Sequence, residues 1–367
     1  MGTSAEASWP STTHASSVGW TPMTESAAEP LSLRLPAGFD VLADDEHLAS
    51  EVFRALGEVE ERLLEALSSS DELANASARY LAEAGGKRIR PLLTILTSLL
   101  GEGPDAQVRE AAVVMEMTHL ATLYHDDVMD SAPVRRGAPA AHEVWGNSVA
   151  ILTGDLILAR ASQLMTEMGE EGSRVQSETF ERLVMGQLHE TVGPREGDDP
   201  KKHYLSVIAD KTGSLVAAAS RLGAMFGGCT EETAAMLATY GEAVGVAFQL
   251  ADDVIDLTSD GETSGKTPGT DLREGVPTLP VLLLRERAAA GEQEAAEALR
   301  LVDGDLRGDE ALAEAVAAVV THPVTQEAWQ VARAWSATAQ EAVAGLPEST
   351  VKSALLSFAE AVVDRES

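Results

Sequence analysis

From Leu48 onward, apolar side chains recur at steps of three and four. Leu48, Val52, Ala55, Leu56, Val59, Leu63 and Leu67 form one stripe with charged residues between them. That spacing predicts an amphipathic helix over 47–68. The same period returns through 71–84, 90–101, 105–130, 144–168, 173–192, 203–227, 230–258, 277–302, 309–321, 325–344 and 348–365. It breaks where turn-formers gather, at Gly101 to Pro104, Pro133 to Pro139, Gly193 to Pro200 and Asp260 to Thr270. No parallel-sheet alternation and no short-period repeat appears. The prediction is an all-α protein, a single large helical domain of about a dozen helices over 41–367. Ahead of it, the first 30 residues hold eleven Ser or Thr, Pro10, Pro22 and Pro30, and two isolated Trp (Trp9, Trp20). With no helical period, 1–40 reads as a disordered tail.

Composition narrows the classes. Aromatics are only 4%, which favours helices over a sandwich or barrel. Lys plus Arg is 27 against 59 Asp plus Glu, a net charge of −32, and so acidic a surface repels nucleic acid. The single cysteine, Cys229, excludes an intramolecular disulfide and a Cys-based zinc site and points to a reducing compartment. No stretch is expected to reach the roughly 20 apolar residues of a spanning helix. Residues 1–33 carry no Lys or Arg and no apolar run, unlike a secretory signal, and Glu6 breaks the myristoylation pattern after Gly2. The expected location is cytoplasmic.

Two aspartate clusters carry the chemistry. His125-Asp126-Asp127-Val128-Met129-Asp130 closes one apolar helical pattern. Phe248-Gln249-Leu250-Ala251-Asp252-Asp253-Val254-Ile255-Asp256 closes another with the same i, i+1, i+4 spacing, 126 positions later. On a helix, Asp126 and Asp130 share a face. One such motif on an acidic chain is most simply a solvated helix end. Two copies are a candidate for carboxylates that hold Mg²⁺, which prefers to share its ligands with phosphate oxygens. The implied substrate is a polyphosphate ester. Basic residues, scarce on this chain, stand nearby: Lys87, Arg88 and Arg90 between Gly85-Gly86 and Pro91, Arg135-Arg136-Gly137, Lys211-Thr212, and Gly265-Lys266-Thr267. Arginine suits bidentate phosphate binding.

Taken in order, G-G-K-R-I-R-P, H-D-D-V-M-D, R-R-G, G-Q (Gly186, Gln187), K-T, F-Q-L-A-D-D-V-I-D, G-K and T-L-P (Thr278 to Pro280) resemble the trans-isoprenyl diphosphate synthases of the polyprenyl synthetase family. The landmarks span roughly 45–365 and look most like long-chain polyprenyl diphosphate synthases. Val276 departs from the pattern, since many members have Lys there. The resemblance implies the isoprenoid synthase fold, helices around a central cavity. It implies head-to-tail condensation of isopentenyl diphosphate with an allylic diphosphate, with three Mg²⁺ once substrate is bound and Mn²⁺ as a substitute. Residue by residue, it implies metal binding by Asp126, Asp127, Asp130, Asp252, Asp253 and Asp256. Arg135, Lys211, Thr212, Gln249 and Lys266 would hold the allylic diphosphate. Lys87, Arg90, His119 and Arg136 would hold isopentenyl diphosphate. Asp126, Asp130, Asp252 and Lys211 would be catalytic in promoting departure of the diphosphate. His125 is expected only to orient a carboxylate, and the 260–270 loop to act as a lid. The resemblance also implies a homodimer.

Product length is expected from the helix that carries Asp126. Short-chain members block the tail's path with aromatics four or five residues before the first Asp, where this chain has Ala121 and Thr122. With Thr118 a turn further back, these small residues predict a product of twenty carbons or more, with a floor around Val149, Leu152 and Leu156. Tyr124 should point elsewhere. Two other readings are a geranylgeranyl diphosphate synthase and a non-catalytic regulatory subunit of a heteromeric synthase. Intact aspartates and cations argue against the latter. Peripheral membrane contact through the apolar product is the most that is expected of a membrane.

Overall fold

Among the described residues, seven helices begin at a side chain that accepts hydrogen bonds from their first turn: Asp45, Asp71, Asp105, Asp199, Thr230, His322 and Ser349. Each satisfies a backbone N–H that has no partner inside its own helix. The structure, a computed structural model, describes residues 35–259 and 268–364. After a 3₁₀ turn (Asp40–Asp44) come α1 (Glu46–Leu67), α2 (Glu72–Glu83), α3 (Ile89–Ser98) and α4 (Ala106–Met129). A hairpin of β1 (Val134–Arg135) and β2 (Ala138–Pro139) follows, then α5 (Ala141–Trp145), α6 (Asn147–Glu167), α7 (Glu170–Val192) and α8 (Pro200–Ile208). A π-helical turn (Ala209–Gly213) leads into α9 (Ser214–Phe226) and α10 (Glu231–Thr258). The remainder is α11 (Thr270–Glu274), α12 (Leu279–Ala289), α13 (Gln293–Val302), α14 (Asp309–Thr321), α15 (Pro323–Val343) and α16 (Thr350–Ala361).

The all-α expectation holds, with the hairpin as a small addition. Arg136 and Gly137 form its two-residue turn, both with positive φ (53° and 78°), the combination a type I′ turn requires. Two expected helices are divided. Gly146, at φ 82°, separates α5 from α6, and Gly291, at φ 93°, lies between α12 and α13. The expected boundary at residue 40 falls earlier, because Phe39 is fully buried and stacks on Phe358 at 4.5 Å. Residues 1–34 lie outside the described residues, with most of the expected tail.

α4 and α10, which end in the aspartate motifs, form the middle of the domain. α4 packs on α1, α3, α6 and α9, and α10 packs on α9 and α15. Both are buried on several sides, so they lack the single stripe of α1. Close approach depends on small residues. A side chain on Gly223 of α9 would meet the Thr94 carbonyl of α3 at 2.1 Å, and one on Gly241 of α10 would meet Val216 of α9 at 2.6 Å. Contrary to the sequence expectation, α6 and α10 are long and apolar enough to cross a membrane by length and composition. For α10 the reason is internal, since it is enclosed by α9 and α15. α6 instead leaves Ile151 and Leu152 exposed.

Candidate active site

Asp126 sits one turn before the end of α4, where its carbonyl accepts the N–H of Asp130. Its side chain lines a cavity of about 490 Å³ that Asp252, from the last turns of α10, also lines. The two motifs therefore converge on one space. Burial lifts the Asp126 carboxyl to about 6; Lys211 opposes the shift and Asp130 adds to it. Asp130 is exposed at the end of α4 and Asp256 is half-buried near the end of α10.

The second aspartate of each motif turns away, because neighbouring helical residues point about 100° apart. Asp127 is fully buried and accepts from Arg135 Nε at 2.6 Å, so it orients that guanidinium rather than facing the cavity. Asp253 accepts from Gln249 Nε2 at 2.9 Å and from the Tyr204 hydroxyl. Burial raises its carboxyl to about 6 against the pull of those two donors. Of the six aspartates expected to bind metal, Asp126 and Asp252, the first of each motif, line this cavity.

Cations from several elements line the cavity. Lys87, Arg90, His119 and Arg136 line one part, between α3, α4 and the hairpin. Arg136 leaves the I′ turn and donates to the carbonyls of Leu81 and Gly85. Arg90 Nε is buried without a partner, a donor left for a ligand. Burial, then the charges of Arg90 and Arg136, hold His119 well below its ordinary value, so it serves as a neutral hydrogen-bonding group. Lys87 Nζ lies 6.0 Å from the Phe248 ring centre. Arg88 also lines the cavity, but in a left-handed conformation (φ 49°) its guanidinium is already paired with Glu60 and Glu116.

Arg135, Lys211, Thr212 and Gln249 line the other part. Burial alone would lower the Lys211 ammonium, but Glu190, paired to it at 2.5 Å, and then Asp126 outweigh burial and raise it. The Thr212 hydroxyl donates to Gln249 Oε1 at 3.1 Å, and Gln249 Nε2 in turn donates to Asp253 Oδ1. This relay fixes which way the Gln249 amide faces. Lys266 and most of the expected lid, 260–267, lie outside the described residues. The carboxylate that His125 approaches is Asp155 of α6 rather than one of the motif: its Nε2 lies 3.3 Å from Asp155 and 3.2 Å from the Ile151 carbonyl, over Gly154.

A second, mostly apolar cavity of about 580 Å³ shares Thr122, Asp126, Leu183 and Lys211 with the first. Ile151, Phe180, Val184 and Leu188 also line it. Of the three residues expected along the tail's path, only Thr122 reaches it; Thr118 and Ala121 are buried in helix packing. On α6 the lining residues are Ile151 and Asp155, displaced by one position from the expected Val149, Leu152 and Leu156. Tyr124 points away, as expected, its hydroxyl donating to the Ser77 carbonyl.

The donor set suits magnesium. Among the described residues, no three His, Cys, Asp or Glu side chains are grouped to cage an ion by themselves. Magnesium is held by one or two carboxylates with its other positions given to phosphate oxygen and water, which is what Asp126 and Asp252 across a cation-lined cavity offer.

The profile of the polyprenyl synthetase family matches residues 71–319. The chain belongs to the polyprenyl synthetase family. It is a prenyltransferase of isoprenoid synthesis. It is 44% identical over 331 residues to a nonaprenyl diphosphate synthase of Mycobacterium tuberculosis, covering 90% of this chain and 97% of that one. Its fold superposes with a TM-score of 0.78 on a geranylgeranyl pyrophosphate synthase from Corynebacterium glutamicum complexed with calcium and isoprenyl diphosphate. That match is 43% identical and covers 87% and 97% of the two chains. A decaprenyl diphosphate synthase from Rhodobacter capsulatus matches with a TM-score of 0.77 at 32% identity, covering 88% and 99%.

The prenyltransferase site also contains groups that sequence motifs did not mark. Tyr204 from α8 and Glu190 from α7 hold Asp253 and Lys211. The Asp271 carboxyl is raised to about 8 by burial, then by Asp256 and Asp253, and its backbone N–H donates to Asp256. Tyr204 and Glu190 lie in no repeated pattern. The Asp-Leu-Arg-Glu-Gly stretch before T-L-P was the available signal for Asp271.

Proposed function

We propose that this prenyltransferase condenses isopentenyl diphosphate head-to-tail with an allylic diphosphate, using Mg²⁺, to make a long-chain all-trans polyprenyl diphosphate. The observation that carries the reading is one cavity that Asp126 and Asp252 share with Lys87, Arg90, Arg135, Arg136 and Lys211, joined at Thr122 to an apolar cavity. Asp126 and Asp252, with Asp130 and Asp256 a turn further on, would hold the metal. When bound, Mg²⁺ stabilises the negative charge growing on the leaving diphosphate.

Lys211, Arg135 and Thr212 bind that diphosphate as its C–O bond breaks and the electron pair leaves with it. Lys87, Arg90 and Arg136 hold isopentenyl diphosphate so that its double bond supplies the pair for the new C–C bond. The resulting cation loses a proton. The departing diphosphate, released beside that cation, would take it. The apolar cavity keeps water from the cation.

Chain length follows from the same cavity. Thr122 is small at the junction, and the lining runs along α7 from Thr191 to Phe180, eleven residues or about 16 Å. That is three helix turns, so a longer chain extends past Ile151, Val184 and Leu188, apolar side chains exposed on the single chain. The nonaprenyl and decaprenyl relatives support a long product. A twenty-carbon product is the competing reading, favoured by the C. glutamicum geranylgeranyl pyrophosphate synthase. The exposed apolar face of α6 and α7, which continues through Leu152, Met185 and Val192, supports a homodimer. We place the enzyme in the cytoplasm on the strength of its single cysteine.

Steady-state kinetics with each substrate varied tests the division of cations. Arg90→Met should raise KM for isopentenyl diphosphate at least about tenfold, the weight of one charge-assisted hydrogen bond, and leave KM for the allylic primer within threefold. An equal rise in both would remove the assignment.

A further inference from the structure

Lys211 and Thr212 sit on the π-helical turn Ala209–Gly213, an irregularity between α8 and α9. Such a turn inserts one extra residue, and relaxing it to α-helix would rotate what it carries by about 100°. Something outside the turn has to oppose that relaxation. On the side away from the substrate cavity, Arg182 of α7 donates from Nε to Asp210 Oδ1 at 2.8 Å. The same guanidinium donates to Glu242 Oε2 of α10 at 2.6 Å. Its third nitrogen lies 3.4 Å from the Ala209 carbonyl. One side chain thus joins α7, the π-turn and α10. Asp210 and Glu242 both lie within hydrogen-bond reach of that cation, so without it two carboxylates would repel across the seam between turn and helix.

Neighbouring contacts make the turn sensitive to that seam. Gly186, one helical turn along α7 from Arg182, lies beneath the turn, where a side chain would meet Lys211 N at 2.7 Å. Gly245 of α10 comes as close to Gly213, 2.8 Å from an added Cβ to its Cα. Motion of Asp210 therefore passes directly to the residue that follows it, Lys211.

We propose that Arg182 is a positioning residue of the prenyl transfer: by tying Asp210 to Glu242 it sets the direction in which Lys211 and Thr212 face the allylic diphosphate. The proposal rests on the functional reading above and extends it to a residue that touches neither substrate. The isopentenyl diphosphate cations, on α3, the residues just before it and the hairpin, lie outside this clamp.

The test is steady-state kinetics of full-length Arg182→Met and Glu242→Gln with both substrates varied, alongside thermal unfolding. A displacement of about 1 Å at a reacting group costs on the order of 10²-fold. Arg182→Met is expected to lose about that factor in kcat, with KM for isopentenyl diphosphate within twofold and a retained cooperative unfolding transition. Glu242→Gln leaves Asp210 paired and is expected to lose about tenfold with the same split. It carries the test should Arg182→Met fail to fold. A kcat within threefold of the native enzyme for either folded variant overturns the proposal. So does a loss matched by an equal rise in KM for isopentenyl diphosphate, the mark of general loosening. A native enzyme that forms no product with any primer refutes the functional reading instead.

Discussion

Replacing Asp126 by Asn should make the protein more stable and nearly inactive. The carboxyl is moved from an ordinary 3.8 to about 6, chiefly by burial. The folded protein therefore holds this proton more tightly than the unfolded chain does, and stability falls as pH rises from 3.8 to 6. Above that window the buried charge costs about 3 kcal/mol. Asn resembles the protonated acid in shape and carries no charge. In the metal-free protein at pH 8, Asp126→Asn should recover up to that 3 kcal/mol, and at pH 4 only about 0.6. For a domain of this size, 3 kcal/mol is a rise of about 4 °C in Tm. The assay is thermal unfolding of both proteins in chelator at pH 4 and pH 8, with turnover measured separately in Mg²⁺. Turnover should drop at least about 10²-fold, because a group aimed at the leaving charge is gone. A variant less stable than native at pH 8, or one with near-normal turnover, would refute the reasoning.

Other substitutions separate packing from path. Thr122→Phe should shorten the product by one or more five-carbon units, read by mass spectrometry of the dephosphorylated alcohols, since Thr122 joins the two cavities. Ala121→Phe, one position away but buried among helices, should instead cost about 1–3 kcal/mol in denaturant unfolding. Arg88→Met would leave Glu116 buried beside no full partner and should cost about 3–5 kcal/mol in urea unfolding, a loss in stability ahead of any change in KM. Gly186→Ala places a methyl 2.7 Å from Lys211 N and should lower kcat while KM for isopentenyl diphosphate stays within twofold.

The helices were legible because periodicity records burial on one face, and the aspartate motifs because the same three-residue spacing occurs twice. What the sequence concealed was direction. Asp126 and Asp127 read alike as letters, yet one lines the cavity and the other is fully buried against Arg135. The π-turn was hidden for a related reason: one extra residue shifts a helical phase without interrupting its apolar pattern, so 203–227 read as a single helix. The hairpin turn at Arg136-Gly137 appeared only as a break, although it aims Arg136 at the Gly85 carbonyl. Tyr204 and Glu190 belong to no motif, and contact across helices alone brings them to the site.

The measurement that bears most directly on the proposed reaction is made with purified native protein, Mg²⁺, labelled isopentenyl diphosphate and each allylic primer in turn. Products are dephosphorylated and sized by chromatography and mass spectrometry. A ladder of all-trans products ending at thirty carbons or more is the predicted result. A stop at twenty carbons would contradict the path through Thr122 and past α6 and α7. No product with any primer would contradict the reaction itself and direct attention to a catalytic partner chain.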